Sequence, residues 1–249
     1  MRQRGRGAGL GAAAMKLLAI DTATEACSVA LQVGDAVIAR FAVAGRAHTQ
    51  MLPKQVAEVL AEAGVTVRDL DGVVCGIGPG SFAGLRIGLS YAKGLAMVGG
   101  LPMVGVSSLQ MLAGPSTLDR VLTVIDARLS AVYAAAWKRD DVGQWQAIMT
   151  PTLCAPDALP AAPDPAQTWL GLGSGFAAYA APLAAAWGAA LPVIDGTALP
   201  SAVHALPPGR DALLRGAGLD AAQLQPLYLR NKVALTQVEQ QALRAPRQG

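Results

Sequence analysis

The residues able to do chemistry in this 249-residue chain are few. Two carboxylates, Asp21 and Asp126, each end a short apolar run, Leu17–Ile20 and Val121–Ile125, and stand 105 positions apart. At a strand end a carboxylate can hold a metal ion or orient a water, or it can accept hydrogen bonds from the backbone of the following turn. The second role needs nothing further from the sequence and is favoured here. His48 and His204 are the only histidines; Leu52 stands four after the first and Pro208 four after the second, so no histidine metal pair is expected. Gly78-Pro79-Gly80-Ser81 leads from an apolar run into a helical pattern, a setting in which backbone N–H groups attract anions. No Gly-Lys-Ser/Thr follows, so it is not a Walker loop, and Gly78-x-Gly80-x-x-Ala83 has Val98 where a ribose-binding acid would stand. The spacing is equally wrong for a Gly-x-Ser-x-Gly nucleophile elbow. Cys27, Cys75 and Cys154 are odd in number and far apart, which fits reduced thiols better than a disulfide framework or a zinc site.

The helix that follows Ser81, its natural N-cap, carries Gly84, Gly88, Ala92 and Ala96 at every fourth position, a ridge with almost no side chain. A helical Gly costs about 0.8–1 kcal/mol relative to Ala, so Gly84, Gly88 and Gly94 demand close packing to offset them. The chain's own sheet and a helix of a partner chain both satisfy that demand. Arg86 and Lys93 lie seven apart on one face, as solvated charges or as groups that meet an acidic partner surface.

These residues are positioned by a strand-rich opening. Leu17–Ile20, Cys27–Val33 and Ala36–Val43 read as three strands with a hairpin at Gly34-Asp35, followed by a helix capped by Thr49. Pro53 falls in its first turn, Leu52, Val56, Val59 and Ala63 trace its apolar face, and Gly64 stops it. Val73–Ile77, the small-residue helix and Pro102–Val106 come next. The order then restarts with Val121–Ile125, Ala131–Trp137 and Trp145–Met149, and Gly76-Ile-Gly78-Pro-Gly80 returns as Gly171-Leu-Gly173-Ser-Gly175, every glycine displaced by 95. The spacing predicts a duplicated domain. Ala155–Ala166 reads as a surface loop, Ser201–Gly216 as a helical region weakened by Pro207-Pro208, and Leu224, Leu227 and Leu229 as a packed tail.

Charged residues at 15% describe a globular chain rather than a disordered one. The net charge of +3 resides in Arg2, Arg4 and Arg6: without them the 20 basic residues fall to 17, equal to the 17 acidic ones. Bulk charge therefore predicts no RNA-binding face. Residues 1–14 are expected to be a disordered extension, with Met1 or Met15 as the natural start. The longest uncharged run, Gln167–Ile194, is broken by Pro182 and Pro192 and predicts no membrane span.

Leu17-Leu-Ala-Ile-Asp-Thr-Ala-Thr-Glu-Ala-Cys-Ser-Val-Ala-Leu31, His48-Thr-Gln-Met-Leu-Pro53, Gly76-Ile-Gly-Pro-Gly-Ser-Phe-Ala-Gly-Leu-Arg-Ile-Gly88, Ala92-Lys-Gly-Leu-Ala96, Val104-Gly-Val-Ser-Ser-Leu109, Val124-Ile-Asp-Ala-Arg128 and Pro226-Leu-Tyr-Leu-Arg230 closely resemble the TsaB (YeaZ) family, in order from Met15 to about Val233. The resemblance implies an α/β fold of two tandem actin-like ATPase domains (ASKHA, ribonuclease H-like), each a mixed sheet flanked by helices. They are expected over 15–110 and 111–218, with a C-terminal tail over 219–249. It implies a bacterial cytoplasmic protein needed to form the N6-threonylcarbamoyl group on the adenosine next to the anticodon of tRNAs reading codons that begin with A. In that family TsaD carries the metal and the transfer site and TsaE is an ATPase partner. This chain would then be a non-catalytic subunit with no cofactor or metal, a homodimer when TsaD is absent, reaching tRNA only through the complex and not membrane-bound. The implied partner interface is Leu52, Val56, Gly84, Arg86, Gly88, Ala92, Lys93 and Ala96. Two departures stand out: Ala83 replaces the family's usual Thr, and Asp126-Ala-Arg-Leu-Ser-Ala-Val-Tyr133 lacks a Gly and an acid, which argues against a nucleotide role for that hairpin. An active actin-like ATPase or small-molecule kinase and a peptidase are the alternative classes.

Overall fold

The computed structural model describes residues 15–230; the expected extension over 1–14 and the end of the tail lie outside them. The first sheet is built from β1 (Lys16–Asp21), β2 (Ala26–Val33), β3 (Ala36–Val43), β4 (Gly72–Gly78) and β5 (Met103–Ser107), in the spatial order β3-β2-β1-β4-β5. The first three strands are antiparallel neighbours, and β4 and β5 are added in parallel. Val73, Val74 and Cys75 need no polar alternation because β4, an interior strand, is covered on both sides. One side carries α1 (His48–Glu62) and α2 (Phe82–Gly99), packed on Leu18, Ile20, Val29 and Leu31. The other receives Leu17, Ala19, Ala30 and Val74.

After α3 (Ser108–Ala113) the second sheet is built from β6 (Arg120–Arg128), β7 (Ala131–Arg139), β8 (Trp145–Cys154), β9 (Leu170–Leu172) and β10 (Val193–Asp195), ordered β10-β9-β6-β7-β8. Read from β8, this is the topology of the first sheet strand for strand, with β6, β9 and β10 again parallel. The expected fold class holds, and the duplication read from two glycine patterns is real. Gly78 and Gly173, 95 positions apart, both leave their strand with φ in the left-handed region, at 92° and 115°.

The second copy is thinner. Where α1 joins β3 to β4, the link from β8 to β9 holds only a short 3-10 turn at Pro156–Ala158, as its proline content requires. The counterpart of α2 is split at Tyr179 into α4 (Ser174–Ala178) and α5 (Ala180–Trp187).

Three local readings are corrected. Helix α1 starts at His48, with Ala47 rather than Thr49 at the N-cap and Pro53 inside the helix. Its start is pinned instead by the His48 ring, whose Nε2 bonds to the carbonyls of Thr24 at 3.1 Å and Ala26 at 3.2 Å. Pro207-Pro208 does not weaken the last helix, α6 (Leu206–Leu214), because it falls in the first turn, where N–H groups have no helical partner anyway. Finally, the segment from Ala202 to α6, read as part of the second half, packs through Ala202, Ala205 and Leu206 on the open side of the first sheet, against Leu17 and Val74. Among the described residues no helix is long and apolar enough to cross a membrane.

Candidate functional site

Asp21 ends β1 completely enclosed. Its Oδ1 accepts from the Ala23 N–H at 3.2 Å and its Oδ2 from the Ser108 hydroxyl at 2.7 Å. A Cβ at position 76 would collide with this carboxyl group, so Gly76 is glycine because Asp21 occupies the space. Burial pushes the Asp21 carboxyl above the usual carboxylate range of 3.8, more than its hydrogen bonds lower it. The folded state therefore holds this proton more tightly than the unfolded one. The contribution of Asp21 to stability is largest below pH 3.8 and is lost as pH rises through its raised folded value. Chemical denaturation of wild type and Asp21→Asn from pH 3.8 upward should accordingly show the balance moving towards the Asn variant as pH rises; a difference that stays constant would contradict this.

Asp126 plays the matching part in the second half. It accepts from the Arg128 N–H at 2.8 Å, pairs with the Arg128 guanidinium at 2.9 Å, and receives the Tyr179 hydroxyl at 3.4 Å. Both carboxylates thus order the hairpins that follow them. The second hairpin is unusual in holding three successive non-glycine residues, Arg128, Leu129 and Ser130, at φ of 62°, 52° and 52°. Leu129 projects from it, 77% exposed.

Between the halves lies a cleft of about 980 Å³, bordered by Ala23, Gly80 and the start of α2 on one side and by Asp126 to Leu129 on the other. In a two-lobed ATPase this is where phosphates and a metal would sit, and the residues present do not fit them. The Ser81 N–H is already donated to the Ala23 carbonyl at 2.7 Å, and the Gly84 N–H to the Ser81 hydroxyl at 3.3 Å, as the N-cap reading requires. A Cβ at Gly80 would strike the Ala23 carbonyl, one at Gly84 the Thr22 carbonyl, and one at Gly88 the Thr22 hydroxyl. Each of these glycines is therefore used to bring α2 against the hairpin over 21–23. Among the described residues no three His, Cys, Asp or Glu side chains gather to hold a metal. His204 lies against Gly114, far in sequence from His48, and its burial lowers its pKa. All three cysteines are free; burial pushes the Cys27 thiol up to about 11 and raises that of Cys75.

The residues expected at a partner surface divide in two. Leu52, Val56, Ala92 and Ala96 are at most 2% exposed and belong to the core between α1, α2 and the first sheet. Gly84 and Gly88 face Thr22, whose hydroxyl donates to the Gly84 carbonyl at 2.8 Å. These six are turned inward: a small-residue ridge announces a close approach, and the chain's own hairpin makes it. Arg86 and Lys93 remain accessible, with the Arg86 guanidinium 3.9 Å over the Phe82 ring. The outward face of α2 instead presents Ser90, Gly94, Met97 and Val98, the last two more than 70% exposed. A side chain at Gly94 would enter open space. The sequence signal for this face was Gly94 itself, a helical glycine out of phase with the ridge.

Residues 42–174 match the family described as TsaD, tRNA N6-adenosine threonylcarbamoyltransferase. Over most of its length the chain is similar to the tRNA threonylcarbamoyladenosine biosynthesis protein TsaB of Escherichia coli K12, at 38% identity covering 88% of this chain and 96% of that protein. The TsaB of Haemophilus influenzae is 32% identical over 88% of this chain and 95% of its own. By contrast, likeness to the tRNA N6-adenosine threonylcarbamoyltransferase of Paracoccus denitrificans, at 48% identity, covers 27% of this chain and only 19% of that enzyme. The solved structure of YeaZ from Pseudomonas aeruginosa superposes with a TM-score of 0.79 at 34% identity, covering 86% of this chain and all of that one. A second Pseudomonas aeruginosa structure, described as having similarity to peptidase YeaZ, superposes equally well at 33% identity.

Proposed function

Because the chain belongs to the TsaB (YeaZ) family of tRNA threonylcarbamoyladenosine biosynthesis proteins, we propose that it serves that modification as a non-catalytic subunit which binds and activates the TsaD transferase, with TsaE as a further partner. The observation that carries this reading is the use made of the glycine-rich run. Residues that would cradle phosphate in a working two-lobed ATPase are consumed in packing α2 on the first hairpin, while the far side of the same helix is left apolar and uncovered. The proposed partner surface is the outward face of α2, at Gly94, Met97 and Val98, flanked by Arg86, Lys93 and the exposed Ala57 and Ala61 of α1. In the absence of TsaD a second copy of the chain would take the same face. Contact with tRNA is made through the complex, in the cytoplasm. The working units are 15–110 and 111–218, with the α6 segment returned to the first.

Reconstitution tests this directly. TsaD, TsaE, tRNA and a supply of threonylcarbamoyl adenylate should form the modified adenosine only when this chain is added, and the chain alone should form none. The cleft supports a second reading, an active ATPase or small-molecule kinase. ATP turnover by the isolated chain that disappears in Asp21→Asn would favour that reading over the subunit role.

A further inference from the structure

Residues 219–230 contain no helix or strand, yet they touch both halves of the molecule. Leu219 exchanges backbone hydrogen bonds with Met103 of β5, both at 2.8 Å, Leu224 enters the core beneath α1 and α2, and the Leu227 N–H donates to the Ile77 carbonyl at 2.7 Å. Tyr228 then stacks on Phe82 in the first turn of α2, with ring centroids 5.4 Å apart, and its hydroxyl receives the Arg86 Nε at 3.4 Å. Up to this point every contact is with the first half. At the next residue the contacts change sides. Leu229 packs with the cluster around Ile125 and Tyr133, and Arg230 Nη2 donates to the carbonyls of Ala127 at 3.1 Å and Arg128 at 3.2 Å.

Phe82, Arg128 and residues 227–230 all border the same cleft. A fully extended chain reaches about 3.3–3.6 Å per residue, so the two steps from Tyr228 to Arg230 span at most roughly 7 Å. The halves cannot separate while both ends hold. The hairpin gripped by Arg230 is the one with three successive left-handed residues, a conformation that persists only where its surroundings enforce it.

We infer that residues Leu227–Arg230 form a clasp that fixes the opening between the two halves, doing from within the chain what a bridging ligand does in a two-lobed binding protein. Tyr228 is the anchor on the first half and Arg230 the catch on the second. All of the clasp's contacts are made inside the isolated chain, and the one to Arg86 adjoins the partner surface proposed on α2.

Hydrogen exchange on the full chain, comparing wild type, Arg230→Ala, Tyr228→Ala and Tyr228→Phe, tests it. Arg230→Ala should speed exchange of the hairpin over 126–133 roughly tenfold, the scale of one lost charge-assisted hydrogen bond. The decisive variant is Tyr228→Ala, which touches only the first half: releasing the anchor should free the catch and speed the same hairpin. Tyr228→Phe keeps the stacking and should behave as wild type. Strands β1 and β4 should exchange as before throughout. An effect of Arg230→Ala with none of Tyr228→Ala would reduce the contact to a local one and overturn the clasp. Faster exchange across the first sheet in either alanine variant would overturn it as well, since the tail would then be a piece of the core.

Discussion

Replacing Gly88 by Leu should lower the thermal midpoint of the isolated protein by roughly 6–12 °C or prevent its folding. A Cβ at this position meets the Thr22 hydroxyl, and that hydroxyl has nowhere to go. It donates to the Gly84 carbonyl at 2.8 Å, and its residue sits 2% exposed between Asp21, held by Ser108, and Ala23, whose carbonyl receives the Ser81 N–H. Overpacking a site that cannot give costs about 3 kcal/mol, and each kcal/mol moves the midpoint of a protein of this size by roughly 2–4 °C. The gain in helix propensity from Gly to Leu, below 1 kcal/mol, does not offset it. A variant that melts like the wild type and loses only its partner would move the ridge back to the surface.

Gly94→Leu, six residues along the same helix, should do the reverse. Nothing lies within 4 Å of a Cβ there, so the isolated protein should be as stable as the wild type or more stable by up to about 1 kcal/mol. On the proposed partner face the new side chain stands where an opposing helix would approach a bare backbone. Extra methylenes in a tight contact cost about 1–3 kcal/mol, which weakens association by roughly ten- to a hundredfold. One helix thus separates folding from binding. Scanning calorimetry beside titration calorimetry with TsaD reads both effects, and a Gly94→Leu chain that unfolds would place this face inside the fold.

How much of this was legible in the sequence follows from what each signal encodes. Alternation and turn chemistry record local preference, so β1 to β5 and the restart at β6 were readable, as was the Ser81 cap. The glycine spacing recorded that something approaches α2 closely, but the identity of that neighbour is a long-range fact: Thr22 and Gly84 are 62 residues apart. For the same reason Leu52, Val56, Ala92 and Ala96, which the family resemblance assigned to a partner interface, lie instead in the core. An apolar stripe on a helix says only that it is covered, and the sheet covered it first. The six-residue helix α3, which supplies Ser108 to Asp21, is too short to show a period. The return of α6 to the first sheet, and the grip of Arg230 on the second hairpin, leave no trace in local pattern at all.

The central claim, that this chain contributes a surface and no chemistry to tRNA threonylcarbamoylation, is tested most directly by the rate of modification in the reconstituted reaction as a function of the concentration of Gly94→Leu. Modification should be poor at concentrations where the wild type saturates and should climb to the wild-type rate when the variant is supplied in roughly ten- to a hundredfold excess, since only affinity is lost. A rate equal to wild type at limiting concentration, or one that saturates far below it, would contradict the account.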